Sequence, residues 1–240
     1  MHAWLCETLD GVGALRWREL PTPQPTAGEV RVAIRAASLN FPDLLIVEGK
    51  YQFKPPLPFV PGAEFSGHVE AVGSGVGHLK VGDAVAVMGG TGGFGTHACV
   101  DATRVLPLPP GFAIEDAAAF AFTYGTSHHA LMDRAQLKAG ETVLVLGAGG
   151  GVGTAALQIA KAAGARVIAA TSSDEKCARC KELGADATLN YSSGNVREAL
   201  KALTEGKGPD VVYDPVGGDL AEPVFRSIAW RGRYLVIGFA

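Results

Sequence analysis

The spacing of apolar and polar residues changes character near the middle of the chain. Before about residue 110, short runs alternate with period two. In Glu29–Ala36, for example, Val30 and Val32 flank Arg31, which is typical of a half-buried strand. Further runs of this kind, separated by turn residues, are Val69–Val72, Ala84–Met88 and Ala98–Val105. The pattern predicts a small, irregular and mostly antiparallel β-barrel. We expect one helical insert, with Pro42 at its first position and Gly49 at its end.

From about Gly111 the runs become longer and of two kinds. Glu115–Leu137 is predicted to be helical, with an interruption at Gly125. Strand-like and helix-like runs then alternate: Thr142–Leu146, Val152–Ala163, Arg166–Thr171, Asp174–Leu183, Ala187–Tyr191, Val196–Thr204, Val211–Val216, Leu220–Ala229 and Tyr234–Phe239. Such alternation indicates βαβ units and a parallel sheet. Five strands are predicted, whereas the doubly wound nucleotide-binding fold has six, in the order 3-2-1-4-5-6. We place the domain boundary between residues 122 and 123, giving domains 1–122 and 123–240.

Composition narrows the class of protein. The 240 residues carry a formal charge of −3, which argues against a nucleic-acid or anionic-membrane surface. No apolar run approaches the roughly 18 residues of a spanning helix, and the N-terminus lacks the pattern of a signal peptide. Four scattered cysteines are too few for a disulfide scaffold. We therefore expect a reduced, cytoplasmic protein.

A glycine-rich turn carries the strongest functional motif. Within Gly140–Lys161, a hydrophobic strand ends at Leu146 and a helix opens at about Val152. Glycine lets the backbone approach a pyrophosphate and lets the helix pack on the strand, while the free N–H groups of the first helical turn meet the phosphates. We expect Gly150 to serve the approach and Gly153 the packing. The predicted dinucleotide-binding residues of this turn are Ala148, Gly150, Gly151, Val152 and Gly153.

This stretch also resembles the zinc-free quinone oxidoreductase/zeta-crystallin family of the medium-chain dehydrogenase/reductase superfamily. Motifs along the whole chain match that family: Asn40-Phe41-Pro42-Asp43, Pro61-Gly62-Ala63-Glu64-Phe65-Ser66-Gly67, Val81-Gly82-Asp83, Tyr124-Gly125-Thr126 and Asp214-Pro215-Val216-Gly217-Gly218. The resemblance implies a GroES-like barrel domain followed by a Rossmann domain, with the active site in the cleft between them. It also implies NADPH-dependent reduction of a quinone or another α,β-unsaturated carbonyl.

The choice of dinucleotide depends on the end of the second predicted strand. An NAD site usually has an acidic residue there, but the chain has Ala169-Ala170-Thr171-Ser172-Ser173. In the resembled family, Ser173, Lys176 and Tyr191 hold the 2′-phosphate of NADPH, and Val216, Gly217 and Phe239 complete the implied cofactor site. The alternative is that Ser172 caps the next helix, with Glu175 closing a capping box and Lys176 solvated. We favour NADPH.

The sequence argues against a zinc site. The zinc-dependent relatives have a cysteine where this chain has Asn40 and a histidine where it has Ala63, and their cysteine-rich loop has no counterpart here. Cys177 and Cys180 lack a second ligand pair nearby in sequence. We therefore predict no metal.

Without a metal, neutral donors can suffice to stabilise the negative charge that hydride transfer leaves on the acceptor oxygen, because a conjugated oxyanion is already delocalised. The candidates are the amide of Asn40 and the phenol of Tyr51, and Thr126 matches a family position that contacts the nicotinamide or its ribose. The alternatives are that Asn40 caps the predicted helix and that Tyr51 is a surface aromatic. We expect Asp43 to orient its loop and Glu64 to anchor a turn.

The last strand, Tyr234–Phe239, is apolar, and in the resembled family the chain continues beyond it. An unpaired strand edge favours association, so we expect a homodimer or higher homo-oligomer, with this chain alone poorly active. Two other functions stay open. One is an enoyl-thioester reductase of the same superfamily; the other is a nucleotide-binding protein with little turnover, either crystallin-like or RNA-binding, although the acidic charge balance disfavours RNA.

Overall fold

The computed structural model describes residues 1–238. The chain divides into two compact units, Met1–Phe122 and Thr123–Ala240. Phe239, which the family resemblance assigns to the cofactor site, lies outside the described residues. No helix within residues 1–238 combines the length and the apolar character needed to cross a membrane.

The first unit is built on antiparallel strands, as predicted. Its strands are β1 (His2–Leu5), β2 (Arg16–Glu19), β3 (Glu29–Ala37), β4 (Glu64–Val72), β5 (Ala84–Met88), β6 (His97–Asp101) and β7 (Val105–Pro107). β1 pairs with β2, and the others form a five-stranded sheet in the order β6-β3-β4-β5-β7. Its core includes Val30, Val32, Phe65, Val85 and Val87, all completely buried.

Two features of this unit differ from the sequence pattern. The run Ala98–Val105 is not one strand, because Ala102–Arg104 forms a 3₁₀ turn. Asp101 caps the start of this turn by accepting a hydrogen bond from Thr103 N (2.8 Å). The hairpin of β1 and β2 has no counterpart in the predicted elements. All four residues of β2 are exposed, so no period-two burial marks it.

The predicted helical insert is α1, Phe41–Val47. Asn40 is its N-cap and Pro42 its second residue, one place later than predicted. Gly49 has φ of 67°, a left-handed conformation that glycine adopts without strain and that commonly ends a helix. The insert therefore ends where the glycine predicts.

The predicted helix Glu115–Leu137 is interrupted, but not at Gly125. The structure has α2 at Ile114–Ala117 and α3 at Ala121–His128, followed by a π-helical turn at His129–Arg134. Gly125 lies inside α3. The start of α3 is stabilised by Glu64, whose Oε1 accepts a hydrogen bond from Phe122 N (2.8 Å). This bond joins residues 58 positions apart in sequence, so local periodicity could not predict it.

The second unit is a parallel α/β sheet. Its elements are β8 (Thr142–Leu146), α4 (Gly151–Ala162), β9 (Arg166–Thr171), α5 (Asp174–Glu182), β10 (Ala187–Asn190), α6 (Val196–Leu203), β11 (Val211–Asp214), α7 (Ala221–Phe225) and β12 (Arg233–Val236). The strand order is β10-β9-β8-β11-β12, all parallel. This is the predicted order 3-2-1-4-5. Among the helices of this unit only α7 is much shorter than its predicted run, because Ser227 N and Ile228 N bond to carbonyls three residues back (2.9 and 3.4 Å) instead of continuing the α-helix. β12 begins one residue before its predicted run and ends at Val236.

The parallel sheet determines where a ligand can bind. The carboxyl ends of β8, β9, β10 and β11 lie along one edge because the strands run in the same direction, and ligands of such sheets bind outside that edge. The loops that follow these strands therefore lie together.

Candidate functional site

The turn after β8 is shaped by the close approach of helix α4. A Cβ added to Gly153 would lie 2.3 Å from the carbonyl oxygen of Gly147 and 2.7 Å from Cα of Ala148. Gly147 itself has φ of 57°. No residue with a side chain fits at position 153 without a backbone shift, so Gly153 allows the close packing of helix on strand that the sequence predicts.

Gly150 lies in a different environment. It is exposed and is the N-cap of α4, and a Cβ there would meet only the Gly147 oxygen, at an ordinary 3.4 Å. The packing of the protein therefore does not require glycine at this position. Gly151 is also exposed, whereas Ala148 is buried and Val152 half-buried. The first turn of an α-helix has N–H groups without intrahelical acceptors, so this end of α4 can receive a phosphate.

Lys176 lies beside the glycine-rich turn. A Cβ on Gly149 would come within 3.3 Å of both Cβ and Cγ of Lys176, so the lysine stem runs along the turn. Its Nζ donates to Ser172 Oγ at 3.4 Å. A cation and a hydroxyl group thus meet at the carboxyl end of β9, as a site for a phosphate group requires.

The helix cap at this loop is not the residue that the pattern suggested. Ser173, not Ser172, is the N-cap of α5, and its Oγ accepts from Lys176 N at 3.3 Å. Since the cap is one residue later, Glu175 is not placed to close a capping box. Asp174 accepts a hydrogen bond from Asn190 Nδ2 (2.8 Å), which directs its carboxylate towards β10.

The remaining predicted cofactor residues follow β10 and β11. Tyr191 is half-buried, and its N–H bonds to the carbonyl of Thr171 (2.9 Å). Val216 N and Gly217 N both donate to Asp214 Oδ1 at 2.8 Å. A Cβ on Gly147 would lie 3.0 Å from Val216 Cγ2, so the loops after β8 and β11 are in contact.

Several polar residues of the second unit form buried or partly buried hydrogen bonds that no sequence pattern predicted. Tyr234 donates from its hydroxyl to Asp214 Oδ2 (2.7 Å), and burial, together with this bond, raises the pKa of Tyr234 well above its usual value. Ser127 Oγ donates to the Val152 carbonyl (2.9 Å) and lies 2.8 Å from the hydroxyl of Tyr213. Ser127 follows Thr126, which is half-buried on α3. The one signal in the sequence was that Ser127 and Tyr213 are polar residues within mainly apolar runs, which suggests that each needs a hydrogen-bond partner.

In the first unit, Asn40 belongs to a small polar cluster. Its Nδ2 donates to Ser38 Oγ (2.9 Å) and approaches Glu64 Oε2 (3.4 Å), and Ser38 Oγ donates to the same Glu64 oxygen (2.7 Å). Glu64 is completely buried. It therefore anchors the residues before α1, and it lies at the start of β4 and not on the turn that the sequence suggested.

Asp43 organises the same segment through backbone contacts. Its carboxylate accepts hydrogen bonds from Asn40 N (2.8 Å) and Ala63 N (2.9 Å). Burial, reinforced by the nearby charge of Glu64, raises the pKa of Asp43. Both oxygens bind the backbone, so Asp43 orients the loop, as expected.

Tyr51 lies beyond the other end of α1 from Asn40. It is half-buried and packs against the apolar cluster of Cys6, Ile46, Val47 and Phe59, so it is not simply a surface aromatic. Within residues 1–238 no hydrogen bond joins Asn40 to Tyr51.

The residues at this site do not fit a zinc ion. Ala63 has no ligand atom, and Asp43 and Glu64 are committed to backbone and hydroxyl donors. The described part of the chain has no group of three or more histidine, cysteine or acidic residues arranged to hold a metal. Cys177 and Cys180 are free and buried on α5.

Comparison with known proteins identifies the family. Residues 26–110 match the model of the alcohol dehydrogenase GroES-like domain, and residues 151–240 match that of the zinc-binding dehydrogenases. The quinone oxidoreductase of Pseudomonas syringae pv. tomato DC3000 superimposes with a TM-score of 0.94 at 37% identity, over 99% of this chain and 73% of that one. The chain belongs to the quinone oxidoreductase family of medium-chain dehydrogenases/reductases.

Other members of the superfamily are similar along most of the chain. The quinone oxidoreductase from Thermus thermophilus, solved also as its complex with NADPH, has a TM-score of 0.85 at 37% identity, over 99% of this chain and 74% of that one. Mouse quinone oxidoreductase-like protein 2 is 42% identical over 91% of this chain, which spans only 63% of that protein's length. A phthioceranic/hydroxyphthioceranic acid synthase of Mycobacterium tuberculosis is 38% identical over 89% of this chain and 10% of its own length.

Proposed function

We propose that this protein is an NADPH-dependent oxidoreductase that reduces a quinone or another α,β-unsaturated carbonyl compound. The observation that carries the proposal is the position of Lys176, whose stem lies along Gly149 and whose ammonium reaches Ser172. The phosphate-binding turn and the ammonium group of Lys176 are therefore neighbours. The adenosine half of NADPH carries a 5′-diphosphate and a 2′-phosphate, which need two such neighbouring sites. The NADPH complex of the Thermus relative supports the same cofactor.

The chain's residues divide the binding of the cofactor among the strand-end loops. Gly150, Gly151, Val152 and Gly153 present the first turn of α4 to the pyrophosphate, next to the buried Ala148. Ser173, Lys176 and Tyr191 bind the adenosine end, where Lys176 supplies the positive charge. Val216 and Gly217 border the turn from the loop after β11. When bound, NADPH supplies the hydride.

The first unit supplies donors for the acceptor. Asn40 donates from its amide to the carbonyl oxygen of the acceptor, and Tyr51 supplies a second hydrogen bond or the proton. Thr126 contacts the nicotinamide end of the cofactor. Two neutral donors suit a conjugated oxyanion, whose charge is already delocalised. No metal ion takes part, because Ala63 stands where zinc-dependent relatives have a ligand.

An enoyl-thioester reductase is the second candidate function. The similarity of 89% of this chain to a segment of the mycobacterial phthioceranic/hydroxyphthioceranic acid synthase supports it, because the name of that protein points to an acyl substrate. The chemistry at the acceptor is the same: a hydride adds to a carbon–carbon double bond conjugated with a carbonyl group. The two candidates therefore differ in the acceptor, not in the proposed residues.

The homo-oligomeric state stays a prediction that sedimentation equilibrium can test.

The deciding experiment follows the absorbance of NADPH with a quinone, a 2-alkenal and an enoyl-CoA as acceptors. We expect turnover with at least one of them, faster with NADPH than with NADH, and unchanged after treatment with a chelator. NADPH binding by calorimetry without turnover on any acceptor would favour a nucleotide-binding protein instead. Loss of turnover after chelation would contradict the metal-free chemistry.

A further inference from the structure

Glu64 is a buried carboxylate for which the proposed reaction has no direct use. None of its surface is exposed, and the groups described around its carboxylate donate to it: Ser38 Oγ and Asn40 Nδ2 to Oε2, and Phe122 N to Oε1. Burial of a carboxylate costs free energy that only such hydrogen bonds offset. The partners that Glu64 holds therefore indicate what it does.

The distances show that one N–H of Asn40 serves both oxygens. Nδ2 lies 2.9 Å from Ser38 Oγ and 3.4 Å from Glu64 Oε2, and these oxygens are 2.7 Å apart. Seen from Nδ2 they are thus roughly 50° apart, whereas the two N–H bonds of an amide diverge by about 120°. The second N–H points away from both oxygens and is the one that can reach an acceptor molecule.

The polarity of the cluster also selects the orientation of the amide. An asparagine amide turns easily about its last torsion, and a half-turn exchanges its oxygen for its nitrogen. A carboxylate can only accept, so Ser38 gives its single proton to Glu64 and must accept from Asn40. An amide oxygen turned towards this pair would meet two acceptors.

We propose that Glu64 is a positioning residue, which acts through Ser38 to hold the Asn40 amide with one N–H directed towards the acceptor oxygen. This inference rests on the proposed function of Asn40. Glu64→Gln should reverse the direction of the hydrogen bonds in the cluster. The single oxygen of glutamine is needed by Phe122 N, so its amide faces Ser38 and the serine proton turns towards Asn40. The serine proton then attracts the asparagine oxygen, which in the wild type faces the Asp43 N–H in the capping box of α1, so the amide is no longer held in a single orientation.

The kinetic test compares Glu64→Gln, Ser38→Ala and Asn40→Ala with the wild-type chain. We expect kcat to fall about tenfold or more in each, since loss of an oxyanion donor costs about 100-fold or more, while KM for NADPH stays within about twofold. Ser38→Ala combined with Asn40→Ala should be no slower than Asn40→Ala alone. Ser66→Ala is the matched control, because Ser66 is also buried on β4 but bonds to the Ile114 carbonyl.

The outcomes separate this inference from the proposed function. If kcat falls in Asn40→Ala but not in Ser38→Ala or Glu64→Gln, the positioning role of Glu64 is wrong while the proposed role of Asn40 stands. If Asn40→Ala keeps the full kcat, both roles are wrong. If the wild-type chain turns over no acceptor, the proposed function fails. NMR of the Asn40 side-chain amide then tests whether Glu64 and Ser38 orient that amide. Its two proton shifts should be widely separated in the wild type and closer in Ser38→Ala; equal separation in both would contradict the orientation of the amide. Ser38→Ala keeps the test available if Glu64→Gln does not fold.

Discussion

The side chain of Lys176 lies against Gly149, with its Cβ and Cγ 3.3 Å from the place where a Cβ of that glycine would be. The glycine-rich turn and the basic residue after β9 thus form one surface. Because Lys176 is exposed and the contact of its Nζ with Ser172 Oγ is long, at 3.4 Å, its charge is available to a phosphate group.

Lys176→Met should therefore weaken NADPH binding selectively. Loss of one charge-assisted contact with a phosphate is expected to raise the Kd of NADPH about 10- to 100-fold and to leave the Kd of NADH almost unchanged. Calorimetric titration with both cofactors measures the two constants. Lys201→Met, at an exposed position of α6, is the matched control and should change neither. An equal loss for NADPH and NADH would place Lys176 away from the 2′-phosphate.

Two glycines of the turn should respond differently to alanine. Gly153→Ala places a Cβ 2.3 Å from the Gly147 oxygen, and overpacking of this kind costs about 1–3 kcal/mol or more. Gly150→Ala meets no protein atom closer than 3.4 Å and should change the free energy of unfolding by only about 1 kcal/mol, as expected for a poorer N-cap. Its methyl group should nevertheless hinder the pyrophosphate.

Urea unfolding and NADPH titration of both variants separate these effects. We expect Gly153→Ala to lower stability and Gly150→Ala to lower affinity at nearly normal stability. Normal NADPH affinity in Gly150→Ala would show that the pyrophosphate does not lie over this residue.

The ion pair of Arg233 and Glu141 should make the stability of the second unit depend on pH. Arg233 donates to both carboxylate oxygens, at 2.8 and 2.7 Å, and this contact is the main cause that lowers the pKa of Glu141 below its usual 4.5. A carboxyl group with a depressed folded-state pKa stabilises the protein above its unfolded-state pKa, and this contribution is lost as the pH falls through the folded-state value.

Glu141→Gln is therefore expected to lower the free energy of unfolding by about 1–2 kcal/mol at pH 7, since the pair is partly exposed. The difference from the wild type should shrink steadily below about pH 4.5. Urea titrations at several pH values measure it. Glu182→Gln removes the exposed pair with Arg179 and should cost less than about 0.5 kcal/mol at any pH. A pH-independent loss in Glu141→Gln would show that packing, not charge, is what the mutation removes.

The elements that sequence predicts well are those whose burial follows a local period. β5, β8 and β9 have the predicted bounds, because each apolar run is buried within a single sheet and bounded by turn residues. The phosphate turn is equally local: strand, glycines and helix lie within about 20 residues, so its residues can be named before the fold is known.

What sequence reasoning misses depends on contacts between distant residues. Glu64 bonds to Phe122 N in the first turn of α3, and its carboxylate also holds Ser38, which bonds to Asn40. The alternative in which Ser172 caps α5 is wrong, because the cap is Ser173; two adjacent serines satisfy the same local pattern, and only the backbone path after β9 distinguishes them. Such arrangements follow from the tertiary structure and leave no periodic trace.

The buried contact between Ser127 and Tyr213 gives a last prediction, about non-additivity. Since Ser127 Oγ donates to the Val152 carbonyl, the Tyr213 hydroxyl, 2.8 Å away, must donate to Ser127. Burial raises the pKa of Tyr213, so its hydroxyl remains protonated. Ser127→Ala leaves that buried hydroxyl without its acceptor, and we expect a loss of about 1–3 kcal/mol in the free energy of unfolding.

Tyr213→Phe removes the orphaned group, so Ser127→Ala combined with Tyr213→Phe should be less destabilised than the sum of the single variants, by about 1 kcal/mol or more. Urea unfolding of the four proteins in the cycle measures this coupling. Because the bond from Ser127 Oγ to the Val152 carbonyl ties α3 to the first turn of α4, the NADPH affinity should fall in Ser127→Ala and in the double variant, and stay close to normal in Tyr213→Phe. Strict additivity of the unfolding free energies would mean that the two hydroxyl groups do not depend on each other, and normal NADPH affinity in Ser127→Ala would mean that the first turn of α4 is held without this bond.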